Sequence, residues 1–411
     1  MKFVNLAKTY QQHLAGDILS DTDCAKFLQQ GGFFDSIQYG KKQSRDNWLL
    51  AIFAIADQCE QIFILRHQAN ENICLVGAIM LANAPDKEQP QTVFSGGRGL
   101  DFTSAFCGCM EEMAERQAIT NWKPDMADGK LPAIANLEPK WWQDQIANKL
   151  AKQEFAIAGN RYEDQAPVAF PWSRKDSLFN GSNGCAVGDS IPIAIERAAL
   201  ELAERHAVAN WWVGGVAARN PAHEHYVQLF RVFSPGRQTT RHRWLLDLTC
   251  DNNIPVVAAL SCASTGHGLI GGFAADKTMA NAALRASMEL CQMEAAADLA
   301  VDKRQQLGED KLNDIDRLWL ARLESSPVLH ARPIADSPKS VPDIHFTQTL
   351  MDRIGTSYLF DMSPKNSPLR IVRLIAPDLF TMTNPSATDL AALSCTNSAV
   401  TSQLDEYPSV L

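Results

Sequence analysis

Apolar residues recur three and four apart over three long stretches, around 102–120, 190–213 and 276–299, which is the spacing of one helix face. Four shorter runs rich in branched apolar residues and bounded by turn formers predict strands: Gln61–Arg66, Ile73–Leu81, Pro255–Leu260 and Arg370–Ala376. Strands mixed with helices place the fold in the α/β class, of the mixed α+β kind. The most apolar early run, Trp48–Ala56, is about half the roughly 20 residues that span a bilayer, so it predicts a buried helix. Proline and polar residues cluster at Ser337–Asp343 and Ser363–Pro368 and predict surface loops, and the tail after Asn384 is polar and poorly periodic.

At 411 residues the chain exceeds the usual single core, predicting one large composite domain or two closely packed ones. With 46% hydrophobic and 21% charged residues it can bury such a core, unlike a disordered chain. A net charge of −9 argues against a general nucleic-acid binder, which needs an excess of lysine and arginine to displace counterions. The first residues hold no apolar stretch long enough for a secretory signal, so a cytoplasmic protein without membrane attachment is expected. The ten cysteines form no CxxC pairs, and Cys107 and Cys109 fall inside a helical pattern. Reduced, buried thiols are the expectation.

Chemistry concentrates in the three helical stretches. From Phe94 to Arg116 a glycine-rich segment, read as a turn whose N–H groups could approach an anion, leads into a helix carrying Glu112, Glu115 and Arg116. From Ser182 to Arg205 a small-residue loop leads into a helix carrying Glu201, Glu204 and Arg205, a second Glu-x-x-Glu-Arg. The third helix places Arg285, Glu289 and Gln292 four and three apart, again on one face. Such acidic pairs usually coat solvated helix faces. Here their neighbours are small or apolar, so part of each acidic face points inward, where carboxylates need arginine or metal partners. Magnesium with nucleotide phosphates would supply them. No GxxxxGK[ST] and no kinase-like motif is present, so an ATP site must be of another kind.

These blocks, in this order, resemble the YcaO family, whose members carry a Gly-Lys-Gly turn before S-A-x-x-E-x-x-E-R, then S-N-G-x-x-A-G-N before E-x-x-E-R, then R-x-x-x-E-x-x-Q. The resemblance implies a composite fold with acidic helices packed on β-sheets around an ATP site. It divides the chain into an N-terminal region, 1–93, in contact with a partner or leader peptide, and a catalytic region, 94–411. It also implies that Glu112, Glu115, Glu201, Glu204 and Glu289 bind Mg²⁺ and nucleotide, that Arg205 and Arg285 contact phosphate, and that Arg98, Arg116, Ser182, Asn183, Asp189 and Gln292 belong to the nucleotide site. It assigns no catalytic residue. The chain departs from the pattern at Arg98, in place of lysine, at Gly108, in place of serine, at Asp189, in place of asparagine, and at His206.

The activity implied is ATP-dependent activation of a backbone amide in a ribosomally made precursor peptide, closing thiazoline or oxazoline rings from Cys, Ser or Thr, as in bacteriocin biosynthesis. Thioamide or amidine formation by the same activation is the alternative, and a non-catalytic nucleotide- or peptide-binding scaffold is a third reading. None of the chain's own cysteines is needed as nucleophile. Azoline-forming members work with an E1-like or leader-binding partner, expected here as a separate protein, and the resemblance leaves room for a homodimer. Many such members end in a Pro-x-Pro tail, whereas this sequence ends DEYPSVL with Pro408 alone. Ile371–Phe380 is similar to the strand and proline near the end of that subgroup and reads equally well as a plain buried strand. The tryptophan pairs Trp141–Trp142 and Trp211–Trp212 could stack on a base, but core positions are the commoner use.

Overall fold

The structure, a computed structural model, describes residues 1–34, 42–67, 70–82, 90–122, 155–172, 182–212, 216–233, 240–324, 341–365 and 367–379. Trp141, Trp142, residues 337–340 and the tail bearing Pro408 lie outside the described residues.

Three helices lead the chain: α1 (Leu6–Ala15), α2 (Thr22–Gln30) and α3 (Lys42–Ala56). The run beginning at Trp48 forms the second half of α3. Its Leu49, Ile52 and Phe53 are fully buried beside Phe33 and Phe106, as the apolar pattern predicts. A three-stranded antiparallel sheet follows, β1 (Gln61–His67), β2 (Asn70–Ala82) and β3 (Gln91–Gly99), and α4 (Phe102–Asn121) lies across it. Asp101 caps α4 by accepting from the Ser104 N–H, so the helix starts directly after β3.

The second sheet has the order β5-β4-β10-β11-β6, formed by β4 (Phe155–Arg161), β5 (Pro167–Trp172), β6 (Cys185–Gly188), β10 (Tyr358–Asp361) and β11 (Arg370–Ile375). A third sheet is the meander β7 (Arg241–Asp247), β8 (Val256–Ala263) and β9 (Ile270–Ala275). All its strand pairs, like those of the other two sheets, are antiparallel. The helices α5 (Ile191–Trp212), α6 (Tyr226–Val232), α7 (Met279–Leu307), α8 (Asp314–Glu324) and α9 (Thr347–Ile354) complete the described chain. The four predicted strands and three predicted helices are therefore all present. Trp211 is a core residue, and the described cysteines are free thiols, most of them buried. No helix among the described residues is long and apolar enough to cross a membrane.

The glycine-rich segment before α4 corrects the sequence reading, because it is strand and not turn. Gly97 sits in β3 opposite Val76, and a Cβ there would lie 1.9 Å from the Ala105 carbonyl oxygen and 2.4 Å from the Cys109 nitrogen. The missing side chain lets α4 rest directly on the strand. The third sheet repeats the arrangement: a Cβ on Gly272 of β9 would lie 2.1 Å from the Leu290 nitrogen of α7.

One ionic cluster ties the first sheet to the third. Glu294 of α7, 1% exposed, lies 2.8 Å from His67 Nε2 of β1 and accepts from Arg243 Nη2 of β7 at 2.6 Å, with Arg241 Nε 3.6 Å away. Burial alone would raise the pKa of this carboxyl, but the bonds from His67 and Arg243 overcome it and hold the group down to about 2. Glu294→Ala is expected to lower the unfolding free energy by about 3–5 kcal/mol in a urea titration, because it strands buried cations. A carboxyl held low in the folded state stabilises it above the unfolded pKa, 4.5. That part of the stability should drain away as pH falls from about 4.5 toward about 2, and be missing from the acid titration of the variant. Gly97→Ala should cost about 3 kcal/mol, the upper end for overpacking, with a matching drop in the thermal midpoint read by circular dichroism.

Candidate functional site

Three helices meet edge-on around a cleft of about 360 Å³. It is floored by β6 and by the Gly96–Arg98 end of β3, and walled by α4, α5 and α7. Helical spacing delivers the side chains. Glu112 and Glu115 are on one face of α4, Glu201, Glu204 and Arg205 on one face of α5, and Arg285 with Glu289 on one face of α7. With Arg98 from β3, eight of the residues expected from sequence line this single cleft.

The hydrogen bonds show how the strand and the helices are joined here. The Gly96 N–H donates to Glu112 Oε2 at 2.8 Å, so a backbone group of the glycine segment does meet an anion, one that the protein itself supplies. Arg98 donates from Nη2 to Glu289 and from Nη1 to Gln292, each at 3.0 Å, and so fastens β3 to α7. A lysine could not fill both positions with a rigid fork, which gives the Arg98 departure a use. Gly108 also lines the cleft, and a Cβ on it would meet nothing within 4 Å, so loss of the serine side chain leaves the cleft wider.

The carboxylates are crowded. Burial and the neighbouring charge of Glu289 push Glu204 up to about 8. Burial pushes Glu201 up to about 7 despite Arg205 and Arg373, and Glu115 is raised well above its ordinary value by burial and by the charges of Glu201 and Glu112. Arg205 lies 3.6 Å from Glu201, and its Nε is buried with no hydrogen-bond partner among the described residues. Arg285 is held by Asp276 at 3.1 Å.

A strong negative field with an orphaned guanidinium donor suits a divalent cation accompanied by phosphate. Among the described residues no three carboxylate, imidazole or thiolate groups form a cation site by themselves. Mg²⁺ commonly takes one or two carboxylates and keeps its other positions for phosphate and water, so the spread of these glutamates fits a cation that arrives with a nucleotide.

The other expected residues sit apart from the lining. Arg116 is half-exposed and pairs with Glu112 one turn back. Ser182 and Asn183 form the turn before β6, where the Cys185 N–H donates to the Ser182 carbonyl at 2.8 Å. Asp189 follows β6 and accepts from Ser190 Oγ, and Gln292 acts on Arg98.

Three charged residues went unread in the sequence. Glu111 and Arg197 line the cleft and pair across α4 and α5 at 2.9 Å, and Arg197 also donates to the Val187 carbonyl. Burial raises the pKa of Glu111 although Arg197 opposes it. Arg373 of β11 is 0% exposed, and its charge acts on both Glu115 and Glu201. An arginine inside the apolar run Ile371–Ile375 was the signal available for it.

The family model described as "YcaO cyclodehydratase", ATP- and Mg²⁺-binding, matches residues 156–380. Arg98, Glu112 and Glu115 precede that match, and the fold brings them to the same cleft. No curated protein matches the sequence. Among solved structures, a heterocyclase in complex with substrate and cofactor is similar at a TM-score of 0.61 and 19% identity, over 83% of this chain and 52% of that one. YcaO from Methanopyrus kandleri bound with AMPPCP and Mg²⁺ is similar at 0.59 and 17%, over 82% and 90%. The E. coli microcin synthetase McbBCD complex is similar at 0.55 and 12%, over 79% and 89%. The chain thus spans about half the length of the heterocyclase, and at these identities the likeness is one of fold.

Protons and cations compete for the same glutamate oxygens. Mg²⁺-dependent binding of a non-hydrolysable ATP analogue should therefore strengthen as pH rises through 7 to 8, by about tenfold per pH unit for each proton displaced. Calorimetric titrations at several pH values check this, and Glu204→Gln should flatten the upper part of the profile.

Proposed function

Since the chain belongs to the YcaO family, whose description includes binding of ATP and Mg²⁺, we propose that it activates a backbone amide of a ribosomally made peptide and closes azoline rings on it. The observation that carries this reading is the convergence of Glu112, Glu115, Glu201, Glu204 and Glu289 with Arg98, Arg205 and Arg285 on one cleft.

In this reading the thiol or hydroxyl of a substrate Cys, Ser or Thr adds to the preceding carbonyl carbon, and the amide oxygen departs, a net loss of water from the peptide. ATP with Mg²⁺, when bound, supplies the phosphoryl group that carries the oxygen away as phosphate. The chain's own task is to orient and to balance charge. The glutamates on α4, α5 and α7 would hold the cation. Arg205, whose Nε has no partner among the described residues, and Arg285 would supply charge for the phosphates, while Gln292 and Glu289 keep Arg98 at the mouth of β3. Glu111 with Arg197 and the buried Arg373 fix the spacing of α4, α5 and β11 beneath them. Residues 94–411 make up the catalytic region and 1–93 meet the partner or leader peptide. A separate E1-like or leader-binding protein delivers the precursor.

High-resolution mass spectrometry of a co-encoded peptide incubated with the protein, its candidate partner, ATP and Mg²⁺ tests the proposal. A loss of about 18 Da per modified Cys, Ser or Thr is expected, and Glu204→Gln should abolish it. A gain of about 16 Da with a sulfur source would replace ring closure by thioamide formation, and an unchanged peptide despite nucleotide binding would replace it by a scaffold role.

A further inference from the structure

About a third of the way round α4 from the acidic face, a second hollow of about 1150 Å³ opens between α3, the C-terminal half of α4 and the connection from β10 to β11. It exceeds the roughly 300–1,000 Å³ typical of small-molecule sites, which favours a length of polymer as its occupant. The floor is apolar, from Leu50 and Ile55 of α3, Ala118 of α4, Trp122, and Leu369 before β11.

Carboxamides make up much of its polar lining. Gln117 donates to Gln58 at 2.9 Å, while the side-chain carboxamides of Asn47 and Asn121 hydrogen-bond to no described residue. A carboxamide donates and accepts as a peptide group does, so two uncommitted ones above an apolar floor match the alternating needs of an extended backbone and its side chains. The charged residues lining the hollow are Lys365 and Arg370. Both are cations, and neither forms an ion pair with a described residue. In a chain of net charge −9, two cations on one wall of an otherwise uncharged groove, unpaired among the described residues, select a negative occupant.

We propose that this groove holds an extended acidic segment of the peptide substrate, away from the amide that reacts. The assignment rests on the peptide-modifying function given above and deepens it. Apolar side chains of the segment lie on Ile55, Ala118 and Leu369, and its carboxylates lie at Lys365 and Arg370. The docked segment and the nucleotide then share α4 as a common wall, each on its own face.

Fluorescence anisotropy on the full chain tests this with two labelled ten-residue peptides, one alternating glutamate with leucine and valine, the other with lysine in place of glutamate. The acidic peptide should bind at least tenfold more tightly, and the double variant Lys365→Glu, Arg370→Glu should erase or reverse that preference with an unchanged thermal midpoint. Ala118→Trp, which fills the floor, should weaken the acidic peptide at least tenfold. Equal affinity for the two peptides, or a preference that survives the double charge reversal, would overturn the proposal. So would a dimer in analytical ultracentrifugation that the double variant splits, since a second copy would then own the groove. ATP turnover without peptide, measured in parallel, should be unchanged in the double variant and lost in Glu204→Gln. Turnover that never appears counts against the enzymatic function, whereas lost charge selectivity with turnover intact counts against the groove alone.

Discussion

Like-charge repulsion inside one cleft is the constraint around which this structure is arranged. Six glutamates from α4, α5 and α7 share the cleft, and burial together with their neighbours' charge holds four of them, Glu111, Glu115, Glu201 and Glu204, above their ordinary pKa. No hydrophobic packing would tolerate that grouping by itself. The surrounding cations make it tenable: Arg98 from the first sheet, Arg373 from the second and Arg205 from α5. The layers of the fold are thus joined where the charge is greatest, and the residues that balance the site also fasten the sheets to the helices.

The glycines serve the same end. Gly97 and Gly272 bring α4 and α7 almost onto the strands beneath them. Because Gly96 can then present its N–H to Glu112, and Arg98 can reach both Glu289 and Gln292, the strand becomes part of the site and not merely its support. A side chain on Gly97 would move the strand away from α4 and with it all three of these contacts.

Much of this was legible in the sequence. The long helices stood out because apolar residues repeat at helical spacing beside the Glu-x-x-Glu pairs, and the four strands because branched residues run between turn formers. Local composition misled at Phe94–Gly99, where glycines that normally signal a turn answer instead to a helix pressed on the strand, a need set by residues 105 and 109. β6 was hidden by its length: Cys185–Gly188 is four residues long and buried throughout, so no alternation marks it. Glu111 and Arg197 look like ordinary polar helix positions, and only their meeting across two helices separates them from surface residues.

The second sheet has a temporal consequence. Its order, β5-β4-β10-β11-β6, inserts two strands from residues 358–375 between strands from residues 155–188. During synthesis β6 and the acidic face of α5 emerge long before their neighbour β11. At about 5–20 residues per second the intervening stretch takes roughly 10 to 40 s. For that interval Glu115 and Glu201 have no Arg373 beneath them, so the acidic cleft cannot mature until nearly all of the described chain has left the ribosome.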